Sequence, residues 1–279
     1  MKIAYFPKYT ALNAGPVLRA FIDGCTNAGI DTVANSMDAD AAVIWSVLWN
    51  GKMRANKSIY DHYRSQNKPV FIIEVGTLKR GITWKVSVNN ITRDGIYANS
   101  RNLTPGRANA LGIQLSPFEA NRSDSILLTL QHTTSLQWQT QPTVQEWVDN
   151  AVQQIRNNTD RPIIVRPHPR CPVHLNTNQD VSIETPERLT NTYDSFDLNV
   201  NHHCVVNHNS GTTVLAAIAG TPIICDISSL AFPVANSFAD IDNPISPDRS
   251  EWFEQLLHTE WLVDEISNGI PLRRLLDEI

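Results

Sequence analysis

The segment Asn209-Ser210-Gly211-Thr212-Thr213 sets hydroxyls and a glycine directly ahead of the apolar stretch Val214-Leu215-Ala216-Ala217-Ile218. It follows the β-like run Cys204-Val205-Val206-Asn207 and precedes a Gly220 stop and the run Pro222-Ile223-Ile224-Cys225. The pattern predicts strand, turn, helix, strand. Hydroxyls and unsatisfied backbone N–H groups at a helix N-terminus favour an anion, and a nucleotide pyrophosphate suits such a turn. The plainer alternative is that Ser210 or Thr212 only caps the helix.

Other side chains with chemical capacity also fall at predicted strand ends. Arg166-Pro167-His168-Pro169-Arg170 follows Ile163-Ile164-Val165. The flanking prolines fix the backbone around His168, and its two arginine neighbours suit a diphosphate or a leaving nucleotide. A turn histidine bonded to the backbone is the alternative. Gln131-His132 ends the run Ser125–Leu130, and Asp226 ends Pro222–Cys225. Asp226 suits sugar hydroxyls, or else caps residues 228–230.

Glu74, in Phe71-Ile72-Ile73-Glu74-Val75-Gly76, places a carboxylate at the end of an apolar strand. It is either a general base or an ion-pair partner of Lys79 or Arg80. Asp23 and Asp40 are further candidates for the base. Lys79, Arg80, Lys85, Arg93, Arg101 and Arg107 are interleaved with Trp84 and Tyr97. That mixture suits phosphate contacts with stacking on a base or sugar, or a solvated surface. His168-x-x-Cys171-x-x-His174 and His202-His203-Cys204 offer zinc-ligand types at spacings that match no standard finger, so no metal is expected.

The elements that must position these groups read as two βα series. The first has strands 2–6, 41–45 and 69–75 with helices 15–28 and 58–66, and loosens into loops or short strands over 83–107. Residues 112–124 read as a linker. The second has strands 125–130, 162–166, 181–183, 204–207 and 222–225, and helices 143–157 and 212–219. A short helical piece near Arg188-Ser195 and a closing helical stretch over 250–279 complete it. Such alternation predicts an α/β fold with parallel sheets, whose ligands sit at strand carboxyl ends, and the cleft between the two domains is the expected active site.

Composition bounds the reading. The 279 residues allow two modest cores, and no apolar run approaches the ~20 residues needed to span a bilayer. The N-terminus enters a strand pattern at once without a signal-peptide grammar, so a cytoplasmic location is expected. The four cysteines lie outside any CxxC pair and read as free thiols. Residues 1–124 hold 15 Lys/Arg against 9 Asp/Glu, whereas residues 125–279 hold 8 against 19. A basic first half implies either an anionic partner or charge complementarity between domains.

The segments 166–170 and 210–222 resemble the donor-binding half of GT-B glycosyltransferases, in the group that includes capsule Kdo transferases and transferase-like proteins of phage and metagenomic origin. The matching residues are Pro167 and His168-Pro169, then Ser210-Gly211 through Ala216, Gly220 and Pro222. Ala14-Gly15-Pro16-Val17-Leu18, residues 40–45 and Thr259-Glu260-Trp261 are similar to further features of the group. The chain departs from it at Ala216 and Ala217, where an acidic residue is common, so no carboxylate contact to a ribose is implied there.

The resemblance implies two Rossmann-like domains, residues 1–120 for the acceptor and 125–279 for the nucleotide sugar, facing across a cleft. The C-terminal helix would pack back toward the first domain. The implied donor site is Gln131, His132, Arg166, His168, Arg170, Ser210, Gly211, Thr212, Thr213 and Asp226. Glu74 and His168 are the catalytic pair, and Gly15, Lys79, Arg80, Trp84 and Lys85 meet the acceptor. A nucleotide sugar, with UDP as the expected nucleotide, is the co-substrate, without a tightly bound cofactor. The expected acceptor is a 5-hydroxymethylpyrimidine in DNA, such as 5-hydroxymethylcytosine, a bacteriophage type of DNA modification in the host cytoplasm, with the base flipped from its stack. The alternatives are an anionic capsule or lipopolysaccharide glycan, a sugar-nucleotide 2-epimerase, and a non-enzymatic binding module.

Overall fold

A computed structural model describes residues 1–118, 122–176, 181–187 and 197–279. In chain order the elements are β1 (Lys2–Tyr5), α1 (Gly15–Asn27), β2 (Asp31–Ala34), β3 (Ala41–Trp45), α2 (Asn56–Ser65), β4 (Val70–Val75), β5 (Thr83–Val88), α3 (Arg107–Leu111) and β6 (Ile126–Thr129). Then come α4 (Val144–Arg156), β7 (Ile163–Arg166), β8 (Val181–Ile183), β9 (Cys204–Asn207), α5 (Gly211–Ile218), β10 (Ile223–Cys225), α6 (Ser250–Leu257), β11 (Glu260–Leu262), α7 (Val263–Ser267) and α8 (Ile270–Leu276). The short helix expected near Arg188-Ser195 lies outside the described residues.

The fold is α/β with two sheets. The chain divides into a unit of Met1–Arg107, Thr134–Leu136 and Glu254–Ile279, and a unit of Ala108–Thr133 and Gln137–Phe253. The sequence boundaries of 1–120 and 125–279 thus differ from these units mainly at the C-terminal segment, which joins the first sheet.

In the first unit the sheet order is β11-β5-β4-β3-β1-β2. β2, β1, β3 and β4 are parallel, and β5 and β11 are antiparallel. The expectation of a wholly parallel sheet is therefore corrected for this unit. Of the loops or short strands expected over 83–107, β5 is a strand whose six residues are all buried. Its Lys85 and Ser87 interrupt the apolar pattern that would have marked its bounds. β2 escaped notice because it is an edge strand with no buried residue. α1 buries Val17, Leu18, Phe21, Gly24 and Cys25, the 3–4 spacing of an amphipathic helix.

The second sheet runs β10-β9-β6-β7-β8 and is parallel throughout. α4 starts at a capping box in which Thr143 and Glu146 satisfy each other's backbone N–H. Its Val148, Ala151 and Ile155 pack on Ile126, Leu128, Val165 and Val206. Each such fully buried aliphatic side chain stabilises the fold by about 1.5–3 kcal/mol. Gly220 ends α5 as expected, with φ at 86°, and a Cβ there would overlap the Pro117 carbonyl.

The strand order reverses once in each unit. The chain leaves β1 for β2 on one side and β3 for β4 on the other, and β6 for β7 on one side and β9 for β10 on the other. In open α/β sheets a crevice forms beyond the carboxyl ends at such a reversal. The positions of interest are therefore the residues just after β1 and β3, and just after β6 and β9. No described helix is long and apolar enough to cross a membrane.

Candidate functional site

The reversal in the second unit brings together the ends of β6 and β9 and the start of α5. Asn207, the last residue of β9, is buried and uses its whole amide. Its Nδ2 donates to the Thr129 carbonyl at 2.7 Å and to Thr129 Oγ1 at 3.0 Å, and its Oδ1 accepts the Ser210 N–H at 2.6 Å. Thr129 Oγ1 lies 2.7 Å from Thr212 Oγ1, which lies 2.8 Å from Ser210 Oγ. A continuous chain of hydroxyls thus runs from the strand end into the first turn of α5.

Ser210 is the N-cap of α5, with Oγ accepting the Thr212 N–H at 3.4 Å. Capping and anion binding are compatible here. The cap employs the serine hydroxyl, while the N–H groups of Gly211 and Thr213 belong to the first turn, which has no intrahelical acceptors. The Thr213 side chain is fully buried, and its hydroxyl donates to the Ser210 carbonyl at 3.2 Å. That side chain is therefore not available to a donor, contrary to the expectation.

Gln131 is 7% exposed, and its Oε1 accepts the Asn209 N–H at 3.2 Å. It shapes the loop after β9 from the neighbouring strand. Asn209 Nδ2 donates to Ser228 Oγ at 2.9 Å, and Asn209 Oδ1 is a buried acceptor that no donor reaches among the described residues. Asp226 accepts the Ser228 N–H at 2.9 Å and its hydroxyl at 2.6 Å, the capping alternative. Burial works to raise the Asp226 carboxyl, but these Ser228 bonds outweigh it and hold it below the usual range.

His132 and His168 meet edge to face, with ring centroids 5.5 Å apart. Burial, then the Arg170 charge, hold the His132 imidazole below its ordinary value. Both effects favour the neutral imidazole. His168 Nδ1 accepts the Arg170 N–H at 3.0 Å, and its carbonyl accepts the Cys171 N–H at 2.9 Å. The backbone-bonded turn histidine anticipated as an alternative is thus present. Arg166 is corrected: its side chain is 5% exposed and ion-paired to Glu184 and Asp197, so it braces β7.

A depression of about 440 Å³ opens beside β9 and β10, lined by Trp147, Asn150, Gln154, His208, Asp226 and Phe238. Its size and mixed lining suit a nucleobase or a sugar ring. His208 packs edge-on against Trp138 at 5.7 Å, and burial holds it below its ordinary value. The zinc-type residues disperse: His202 bonds to Ser125 Oγ at 2.8 Å, His203 to the Ile241 carbonyl at 2.7 Å, and Cys204 is buried in β9. Among the described residues no three His, Cys, Asp or Glu converge as metal ligands.

In the first unit, the carboxyl ends of β3 and β4 and the adjoining β5 and β11 place Ser46, Glu74, Lys85 and Glu260 in one cross-sheet row. Glu74 Oε2 accepts the Ser46 hydroxyl at 2.5 Å and Oε1 accepts the Val75 N–H at 2.9 Å. Lys85 is 7% exposed, stands between two glutamates in register, and forms no ion pair among the described residues. Glu260 accepts from Thr77 N at 2.6 Å, Leu78 N at 3.0 Å and Thr83 Oγ1 at 2.7 Å, fixing the β4–β5 turn. A Cβ at Gly76 in that turn would overlap the Thr83 carbonyl.

The expected aromatic and basic acceptor surface is largely corrected. Trp84 is 4% exposed against Trp45, and Tyr97 is also buried, so neither offers a face to a base. Arg107 is 5% exposed and spends its guanidinium on Glu265 and the carbonyls of Leu257 and Glu260. Lys79 and Arg80 are partly buried, with the Lys79 backbone bonded to Thr83. Gly15 opens α1, and nothing crowds its Cα. Thr129, Asn207, Asn209 and Ser46 were not singled out. Thr129 lies one residue inside the end of a predicted strand, Asn207 ends one, and Ser46 and Asn209 follow one within two residues, and that position was the available signal.

The chain matches no protein-family model and no curated protein. Among solved structures it is similar to the beta Kdo 2,4 transferase of Thermosulfurimonas dismutans KpsC, at 13% identity and TM-score 0.48 over 92% of this chain and 90% of that one. The beta Kdo 2,7 transferase of the same KpsC aligns at 13% identity and TM-score 0.48 over 97% and 98%. The Methanocaldococcus jannaschii UDP-GlcNAc 2-epimerase in complex with UDP-GlcNAc and UDP aligns at 12% identity and TM-score 0.34 over 100% of both chains. Similarity this low carries neither activity nor residues to this chain.

Proposed function

We propose that the chain is a glycosyltransferase that takes its sugar from a nucleotide donor. The observation that carries this reading is the hydroxyl and amide lattice at the β6/β9 reversal, Thr129-Asn207-Ser210-Thr212, which fixes the first turn of α5 with backbone donors to spare. Preorganised N–H groups at a helix start suit the diphosphate of a nucleotide sugar such as a UDP-sugar. His168 Nε2 and the Arg170 guanidinium would meet the leaving nucleotide.

Attack by an acceptor hydroxyl with inversion needs a base, and Glu74 is the carboxylate whose geometry fits, held on both oxygens at a strand end. Lys85 is buried between Glu74 and Glu260 and is not an acceptor contact. The basic charge of residues 1–124 favours a polyanion bearing hydroxyls. DNA containing 5-hydroxymethylcytosine is the acceptor to test first, and an anionic glycan is the alternative.

The test is incubation with radiolabelled UDP- and CMP-sugars and hydroxymethylated DNA, plain DNA or an anionic oligosaccharide. Label on modified DNA alone, with binding that weakens steeply with salt, supports the DNA acceptor. Label on the oligosaccharide alone replaces it. Conversion of the donor sugar to an epimer, with no transfer to any acceptor, sinks the transferase reading.

A further inference from the structure

Five non-glycine residues hold a left-handed backbone among the described residues: Asn35, Asn67, Asn89, Asn102 and Ser46. Asparagine tolerates that region because its short amide bonds locally. Ser46 has φ at 62° and is 2% exposed, and serine lacks that tolerance. Strain of this kind persists where surrounding structure enforces it, and it gathers at functional sites.

What enforces it is visible. The Ser46 N–H donates to the Ile73 carbonyl at 2.8 Å, continuing the β3–β4 ladder one residue beyond β3. Its Oγ accepts the Leu48 N–H at 3.0 Å and donates to Glu74 Oε2 at 2.5 Å. The Leu48 donor occupies a serine lone pair, so the hydroxyl proton is directed at the carboxylate. Glycine would adopt the same φ freely. The hydroxyl is what serine adds there.

We infer that Ser46 is the positioning residue of the general base. This rests on the assignment of Glu74 as that base. Val75 N–H holds Oε1 and Ser46 Oγ holds Oε2, so the carboxylate plane is fixed, with a free lone pair for the acceptor. As the acceptor oxygen bonds to the anomeric carbon, its proton passes to Glu74. The bond from that carbon to the donor phosphate oxygen breaks, and the electron pair leaves with the nucleotide. Ser46 exchanges no proton.

The test uses the full chain as Ser46→Gly, Ser46→Ala, Glu74→Gln and the double variant Ser46→Ala/Glu74→Gln. Turnover is measured with the labelled UDP- and CMP-sugars, the DNA and oligosaccharide acceptors, and water as a minimal acceptor. Ser46→Gly is expected to lower kcat about 10–100-fold with both KM values unchanged. Its thermal midpoint should stay near that of the parent, since the backbone relief at glycine offsets the two lost hydroxyl bonds. Adding Ser46→Ala to Glu74→Gln should cost nothing further, the signature of two residues acting as one.

Full kcat in Ser46→Gly, or an independent loss in the double variant, overturns the inference. If Glu74→Gln keeps full activity, the base assignment fails and takes this inference with it. If Glu74→Gln is inactive while Ser46→Gly is unimpaired, only the role of Ser46 fails. No turnover of any donor, with any acceptor or with water, overturns both.

Discussion

The hydroxyl oxygens of Thr129 and Thr212 lie 2.7 Å apart and join the carboxyl end of β6 to the first turn of α5. Thr212 is also bonded to Ser210, so it sits in the middle of the lattice. Replacing it with valine keeps the shape and removes the link. We expect UDP affinity in Thr212→Val to fall about tenfold, equivalent to roughly 1.4 kcal/mol, with the fold retained. Titration calorimetry with UDP checks this, and unchanged affinity contradicts a phosphate site at this turn.

Cysteine reactivity reads the His168 loop without an assay of turnover. Burial pushes the Cys25 thiol up to about 12, and Cys204 is pushed up as well. Cys171 is partly exposed and follows His168 by three residues, its sulfur 3.6 Å from Thr133 Oγ1. Iodoacetamide should label native Cys171 well before Cys25 and Cys204, since the thiolate is the reactive form. Saturating UDP should slow labelling of Cys171 several-fold, which peptide mass spectrometry would follow.

Arg107 predicts a loss of stability. Its guanidinium meets Glu265 at 2.5 Å and stacks 4.4 Å from the centre of the Trp261 ring. Arg107→Ala leaves the Glu265 carboxylate and two buried carbonyls without their donor. The expected cost is about 3–5 kcal/mol. Urea denaturation measures it, and a change under about 1 kcal/mol would show that the pair contributes little.

Acid should destabilise the fold before carboxylates titrate. Burial holds His202, His203, His208 and His258 below the ordinary histidine value. At His258 the bonding agrees with that direction: Nε2 accepts the Thr104 N–H at 2.8 Å, which demands an unprotonated nitrogen. With folded values depressed, the unfolded chain binds more protons once pH falls below about 6.5. The stability present above that pH is lost as pH drops through the folded values. Thermal midpoints should be level above pH 7.5 and decline from about pH 6.5 downward, and His258→Gln should lessen the slope.

The long apolar runs made much of the fold legible. Residues 41–45 and 204–207 appear as the strands expected, and Gly220 stops α5 where its sequence position indicates. β5 and β11 were not legible, because Lys85, Ser87 and Glu260 are polar residues buried by partners far away in the chain. The site divided in the same way. The Ser210 turn carries its own local grammar, whereas Asn207 and Ser46 acquire meaning only from the strands beside them. Arg166 and Trp84 misled because charge and aromaticity do not reveal which carboxylates or rings will cover them.

Glu260 closes the β4–β5 turn from near the other end of the chain, and β11 borders β5 beside it. During vectorial synthesis this first unit is therefore completed after the second. Residues 1–107 leave the ribosome without their border strand, their turn clasp or the partner of Arg107. The second unit, built largely from the intervening chain, has all of its strands in hand earlier. The nascent first unit thus presents an open β5 edge until the tail arrives, and that interval is when it most needs a chaperone.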